Sequence, residues 1–181
     1  FTFDGAGTLF TSGSYVALSQ LRVDDLPAVE RLVAQGTADG LLRPRTRVEV
    51  ARLAVGGLGA RLVGSGHLAG IVSLDAGTYR DQGLGEVACL YTVSRFSGAG
   101  AGALLIDGLV RQATTVGLDA VFAVTVSDAA GAFFERKGFV EVSHDEIPPA
   151  KWAGYDPARL DLARAFVRPV DAAVEQGSLG F

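Results

Sequence analysis

Apolar positions follow two rhythms along this chain, and the switches between them predict its elements. "ALSQLRV" (17–23) alternates as a strand does. Leu26, Val29, Leu32 and Val33 in "DDLPAVERLVAQG" then recur at helical spacing. Asp24 is placed to cap that helix, Pro27 falls in its first turn, and Gly36 ends it. "TADGLLRPRTRVEVARLA" reads as an arginine-bearing loop followed by a short helix. "GARLVG" and "HLAGIVSLDA" flank Ser65-Gly66 as two strands of a hairpin. "GEVACLYTV" (85–93) is an almost unbroken apolar run, the pattern of a central strand buried on both faces.

The second half keeps the same alternation of types. Leu104, Leu105, Leu109 and Val110 give "ALLIDGLVRQATTVG" a helical face, and "LDAVFAVTV" reads as another buried strand. "DAAGAFFERKG" is a short helix closed by Gly138, and "FVEVSH" a further strand. After a loop containing "IPPAKWAGYDP", "LDLARAFVR" supplies a last strand. The order is that of a mixed α/β domain built around one sheet, without internal repeat or linker over residues 17–168.

Composition narrows the function classes. The chain has 181 residues, 49% hydrophobic and 20% charged, which suits one globular domain with a sizeable core. Net charge is −4 and no basic stretch is long enough to hold a phosphate backbone, which argues against nucleic acid as the partner. Its one cysteine, Cys89, rules out an internal disulfide framework and fits a reducing, cytoplasmic setting. His67 and His144 have no second ligand at metal spacing, so no metal is expected. No apolar run reaches the roughly 18 residues of a membrane span, so no membrane partner is expected either. The chain begins at Phe1 and contains no methionine. Residues 1–16 therefore read as a tail or the remnant of a preceding domain, 17–170 as the functional domain and 171–181 as a C-terminal tail. Nothing in the pattern decides oligomeric state, and a homo-oligomer stays open.

The chemistry concentrates in "SRFSGAGAGALLI" (94–106), which sets glycines at the mouth of a helix although each costs about 1 kcal/mol relative to alanine. Such a run suits a ligand that needs bare backbone N–H groups at close range. A nucleotide-binding loop of the G-x-x-x-x-G-K-[ST] type fails, because Ala103 and Leu104 follow the last glycine. The dinucleotide pattern G-x-G-x-x-G/A fits Gly98, Gly100 and Ala103, with Asp128 as a distant ribose acid. A glycine-rich turn that merely packs a helix onto the sheet also remains open on spacing alone.

Taken with its flanks, the loop resembles another family. "GEVACLYTV", "SGAGAGALL" and "FFERKGF" together resemble the GNAT superfamily of N-acetyltransferases over about residues 18 to 168. That family's loop reads Arg/Gln-x-x-Gly-x-Gly/Ala, matched here by Ser97, Gly100 and Gly102 with serine in the first place. Its later helix ends in an aromatic pair, a charged stretch and Gly-Phe, matched by Phe133, Phe134, Gly138 and Phe139. The resemblance implies a mostly antiparallel central sheet with splayed central strands, flanked by about four helices. It implies acetyl-CoA as co-substrate, its pyrophosphate cradled by Ser97, Gly98, Ala99, Gly100, Ala101, Gly102 and Ala103. Backbone N–H groups around Leu90, Tyr91 and Thr92 would polarise the thioester carbonyl, with the pantetheine arm pairing like an added strand. Phe134, also on the cofactor side, stands where many members carry the tyrosine that protonates the leaving thiolate, and it has no proton to give. Ser127 or Tyr91 takes that part, or the thiolate leaves without a dedicated acid.

Within the superfamily, "GEVACL", "GLLRPRTR" and "IPPAKWAGYD" resemble the acetyltransferase domain of the N-acetylglutamate synthases, which acetylate the α-amino group of glutamate at the start of arginine biosynthesis. A dicarboxylate acceptor needs cations, and arginine's planar fork suits carboxylates. Arg45 and Arg47 lie two apart and would point one way in an extended loop, unless Arg43, Arg45 and Arg47 form a solvated cluster. Arg164 on the last strand is a further candidate, and Cys89 is counted on the substrate side. As a nucleophile Cys89 is disfavoured, being flanked by apolar residues without a histidine partner. Glu86, at the head of the central strand, is the candidate base. The alternatives are another amine acceptor (a different amino acid, a polyamine or a protein amine) and a CoA-binding regulatory module without catalysis.

Overall fold

Residues 15–93 and 100–171 are described in a computed structural model of the chain. They form a mixed α/β fold whose strands are hydrogen-bonded in the order β1-β2-β3-β4-β5-β7-β6. The chain divides into two compact units, the first comprising residues up to Leu74 with Ala88–Leu109 and the second Asp75–Val87 with the residues from Val110 onward.

In the first unit, β1 (Val16–Gln20) pairs antiparallel with β2 (Leu58–Leu62), and β2 with β3 (Leu68–Asp75). Between β1 and β2 stand α1 (Leu26–Ala38) and α2 (Arg47–Gly56). The strand predicted over 17–23 ends at Gln20, because Val23–Asp25 close into a 3-10 turn. Asp25 rather than Asp24 precedes the helix, its Oδ2 accepting from Arg22 N at 2.8 Å and from Arg61 Nη2 at 2.6 Å. Burial pushes the Asp25 carboxyl up, but these bonds outweigh it and hold the group below its ordinary value.

Gly36 does not end α1, which continues to Ala38. A Cβ there would stand 2.7 Å from Leu42 Cδ1 and 2.9 Å from Tyr91 Cδ2, so the glycine permits close packing inside the helix. Those two side chains belong to the unit's core, with Leu21, Val29, Val33, Leu53 and Ile71. Burying each such side chain contributes roughly 1.5–3 kcal/mol.

The second unit holds the start of β4 (Leu84–Thr92), then β5 (Ala120–Thr125), α4 (Asp128–Arg136), β6 (Val140–Val142) and β7 (Arg164–Pro169). The parallel ladder of β4 with β5 runs from Leu84↔Ala120 to Glu86↔Phe122. β7 lies antiparallel to both β5 and β6. The segment read as a loop folds into two short helices, α5 (Pro149–Trp152) and α6 (Pro157–Leu162), each begun by a proline whose missing N–H costs nothing at that position. α6 takes the first three residues of "LDLARAFVR", which shortens the last strand to its second part. Tyr79, Phe122, Ile147 and Ala165 form the core of this unit.

β4 is the other correction. Its residues alternate, with Gly85, Val87, Cys89 and Tyr91 buried and Glu86, Ala88, Leu90 and Thr92 only partly so. An apolar run therefore conceals a strand with one half-open face, because Ala88 and Leu90 are apolar without being fully covered. α3 (Ala101–Thr115) starts inside the glycine run, with Gly102 as its second residue.

Candidate functional site

Two clusters of polar side chains stand out, one in each unit. In the first unit, Thr46 caps α2 by accepting from Glu49 N at 3.2 Å, while Glu49 reaches back to Thr46 N at 2.7 Å. Glu49 also pairs with Arg43 at 2.7 Å. The Arg43 bond first and the Thr46 backbone second bring its carboxyl down to about 2. This frame fixes Arg45 between its neighbours. Arg47 is the first helical residue rather than part of an extended loop, yet it lines the same groove as Arg45. The groove encloses about 570 Å³, with Val33, Ala38 and Val50 as apolar walls and Glu30 on its rim.

Arg45 Nε is buried and has no hydrogen-bond partner among the described residues. A buried donor left unpaired costs about 1–3 kcal/mol, so the position is one that an incoming acceptor would relieve. The same guanidinium lies against the Cys89 thiol. Burial pushes that thiol up, against the pull of Arg45 and Arg43, so Cys89 is a protonated thiol at neutral pH. Cys89 also has a φ of 56° in mid-strand, and among the described residues it is the non-glycine position with positive φ. Such a conformation costs of order 1–3 kcal/mol and re-aims the backbone groups that follow it.

Tyr91 belongs to this unit's core and turns away from chemistry. Its hydroxyl donates to Asp39 Oδ2 at 2.9 Å, and burial followed by Asp39 pushes it up to about 12. At the start of α3, Leu104 N donates to the Gly100 carbonyl at 3.0 Å, which makes Gly100 the cap of a 15-residue helix. Gly100 has a φ of 81°, and among the described residues nothing stands where its side chain would. The N–H groups of Ala101, Gly102 and Ala103 open this helix, where no carbonyl of the helix itself can serve them. An anion fits that end. Ser97, Gly98 and Ala99 lie outside the described residues.

In the second unit, Glu86 is paired through Oε1 with Lys151 Nζ. The Tyr79 hydroxyl lies near Glu86; burial first, and then the charge of this carboxylate, raise Tyr79 to about 12. Ser127 caps α4, its Oγ accepting from Ala130 N at 3.2 Å, a bond that leaves the hydroxyl proton unspent. Phe134 packs with Phe133, Phe139 and Phe166 at centroid distances of 5.6, 5.2 and 5.9 Å. Arg164 is fully engaged: Nε and Nη2 hold the two oxygens of Glu141 at 3.0 and 2.8 Å, and Nη1 reaches Asp128 at 3.3 Å. The Glu141 bond raises its pKa further.

The fold thus places Arg45 and Arg47 on one groove, sets Arg45 against Cys89, and surrounds Arg164 with carboxylates. Sequence reasoning missed Lys151, Tyr79 and Asp39. Lys151 stood in a quoted motif, and only its role was unread. Tyr79 and Asp39 sit in a turn and at a helix end without any pattern to mark them.

Residues 61–148 match the Acetyltransferase (GNAT) domain family. An amino-acid acetyltransferase of Neisseria meningitidis is 27% identical over 159 residues, 86% of this chain and 34% of the relative. One from Ralstonia nicotianae is 29% identical over 166 residues, 90% of this chain and 35% of the relative. The chain therefore spans about a third of the length of these curated relatives. The fold is similar to that of N-acetylglutamate synthase from Neisseria gonorrhoeae solved with coenzyme A and N-acetyl-glutamate, with a TM-score of 0.75 at 23% identity over 88% of this chain and 36% of that one.

Proposed function

Starting from a chain whose residues 61–148 match the GNAT acetyltransferase domain family, we propose that it transfers the acetyl group of acetyl-CoA to the α-amino group of glutamate, as at the start of arginine biosynthesis. The observation that carries the acceptor is the buried, unpartnered Nε of Arg45 beside a groove that Arg47 also lines. Two guanidinium groups in one groove suit a molecule with a side-chain carboxylate. Arg164, already matched by acidic neighbours, is not needed for recognition.

Acetyl-CoA supplies the acetyl group as a thioester with a thiol as leaving group. Ser97 to Ala103 and the N-terminus of α3 hold its pyrophosphate in this reading, supported by the open Gly100 cap. The N–H groups of Leu90 to Thr92, following the φ reversal at Cys89, polarise the carbonyl. Phe134 backs the cofactor side as part of an aromatic cluster. Glu86 takes the proton that the acceptor ammonium must lose before its nitrogen can attack. As the tetrahedral intermediate collapses, its nitrogen gives up its extra proton and the departing sulfur gains one. Ser127, whose proton its capping bond does not use, is the relay and ends the step protonated. Cys89 contributes contact and backbone shape on the substrate side rather than a nucleophile. Residues 17–170 are the acetyltransferase domain, with a small-molecule partner and a cytoplasmic setting.

The test is release of free thiol from acetyl-CoA across a panel of amino acids, polyamines and a peptide amine. Glutamate is expected to be preferred by kcat/KM. Equal use of uncharged amino acids removes the glutamate assignment, and tight CoA binding without turnover on any amine makes the domain a regulatory module.

A further inference from the structure

Lys151 stands on α5 with its Nζ on Glu86 Oε1, and the two side chains are only 17% and 14% exposed. The Tyr79 hydroxyl lies near the same carboxylate, on the connection that precedes β4. The α5 segment is itself held. Trp152 Nε1 donates to the His144 carbonyl at 2.9 Å, the two rings stack at 4.5 Å, and His144 Nε2 meets the Ala163 carbonyl at 2.7 Å. Lys151 Nζ also lies 5.7 Å from the centroid of the Tyr155 ring. A free lysine side chain gives up about 2 kcal/mol of rotamer entropy when fixed, and here its neighbours are fixed already.

The arrangement has a chemical consequence. A mostly covered carboxylate with no donors tends to take up a proton, whereas an adjacent cation and a hydroxyl donor favour its ionised form. They also stop it from rotating. Among the described residues, the titratable groups facing Glu86 are Lys151 from α5 and Tyr79, with Asp75 farther back beside Tyr79. We infer that Lys151, with Tyr79 close by, is a positioning residue that holds the Glu86 carboxylate against its own cation and keeps it aimed; that this serves proton uptake from the acceptor rests on the acetyltransferase reading.

A plain staple between α5 and β4 would use the same ion pair, so the test must separate the two. Glu86 is followed by carboxyl-carbon NMR titration, assigned with Glu86→Gln, in the wild type, Lys151→Met, Lys151→Arg and Tyr79→Phe. The carboxyl is expected to titrate at higher pH in Lys151→Met, to return most of the way in Lys151→Arg, and to move less, in the same direction, in Tyr79→Phe. In kinetics, kcat of Lys151→Met falls roughly 10- to 100-fold with the acid limb of its pH profile moved up, while KM for acetyl-CoA stays within about twofold. A folded Lys151→Met with unchanged titration and profile overturns the inference and leaves a staple. If Lys151→Met does not fold, Tyr79→Phe decides, and an unmoved titration there overturns it. Wild-type protein that acetylates no amine refutes the function reading instead, while the NMR titration still decides the pairing.

Discussion

Arg45 and Arg164 are both arginines that a dicarboxylate could use, and their surroundings are opposite. Arg164 meets Glu141, Asp128 and, at 4.0 Å, Glu135, more acceptor charge than one guanidinium neutralises. Arg45 has a buried Nε with no acceptor among the described residues, beside a groove that Arg47 also lines. The first is a staple whose partners are built into the fold. The second is held by a frame, through Arg43, Thr46 and Glu49, that fixes its backbone without consuming its donors. The charge of a residue says little about whether it recognises a ligand; the number of donors still unspent says more.

The sharpest way to break that contrast is to truncate each arginine in turn. Arg45→Ala is expected to raise KM for glutamate roughly 10- to 100-fold with kcat nearly kept, since a charge-assisted bond contributes about 1.5–3 kcal/mol. Arg45→Lys recovers only part of this, because a point charge cannot reproduce a planar fork. Arg164→Ala should leave KM for glutamate within about twofold and lower Tm instead, because three carboxylates then face one another without their cation. Steady-state kinetics and thermal melts on both variants decide it. A large KM effect from Arg164→Ala, with none from Arg45→Ala, inverts the assignment.

Much of this architecture could be read from the chain, and the misreadings share a cause. The rhythm of apolar residues placed β3, β5 and the body of α1, because those elements bury one face or one stripe. It failed at Gly36, where a glycine serves packing against Leu42 and Tyr91 rather than termination. It failed again at β4, where covered and half-open positions are equally apolar and period-two alternation disappears from the sequence. Candidate site residues are legible where their placement is local: Glu86 near a strand start, Ser127 before a helix, Arg45 in a loop. Residues whose role depends on a distant partner were not. Lys151 meets Glu86 across 65 positions and Tyr91 meets Asp39 across 52, separations that no local spacing encodes.

The smallest effect expected concerns the frame around Arg45 and sharpens the comparison from the other side. Glu49 sits far below its ordinary carboxylate value of 4.5, at about 2, chiefly through Arg43 and the Thr46 backbone. A depressed value in the folded state means that the pair stabilises the fold fully above about pH 4.5 and loses that contribution as pH falls through 2. Both partners are partly solvated, Arg43 at 53% and Glu49 at 30%, so the ion pair itself adds little and salt weakens it further. Thr46→Ala removes the capping oxygen as well and should cost about 0.5–2 kcal/mol, seen as a Tm lower by a few degrees. If the frame works by holding Arg45 in place, that variant also raises KM for glutamate by a few-fold while leaving KM for acetyl-CoA unchanged. A Tm loss with unaltered glutamate KM would mean that Arg45 is held by its own burial against Cys89, and that its neighbours only stabilise α2.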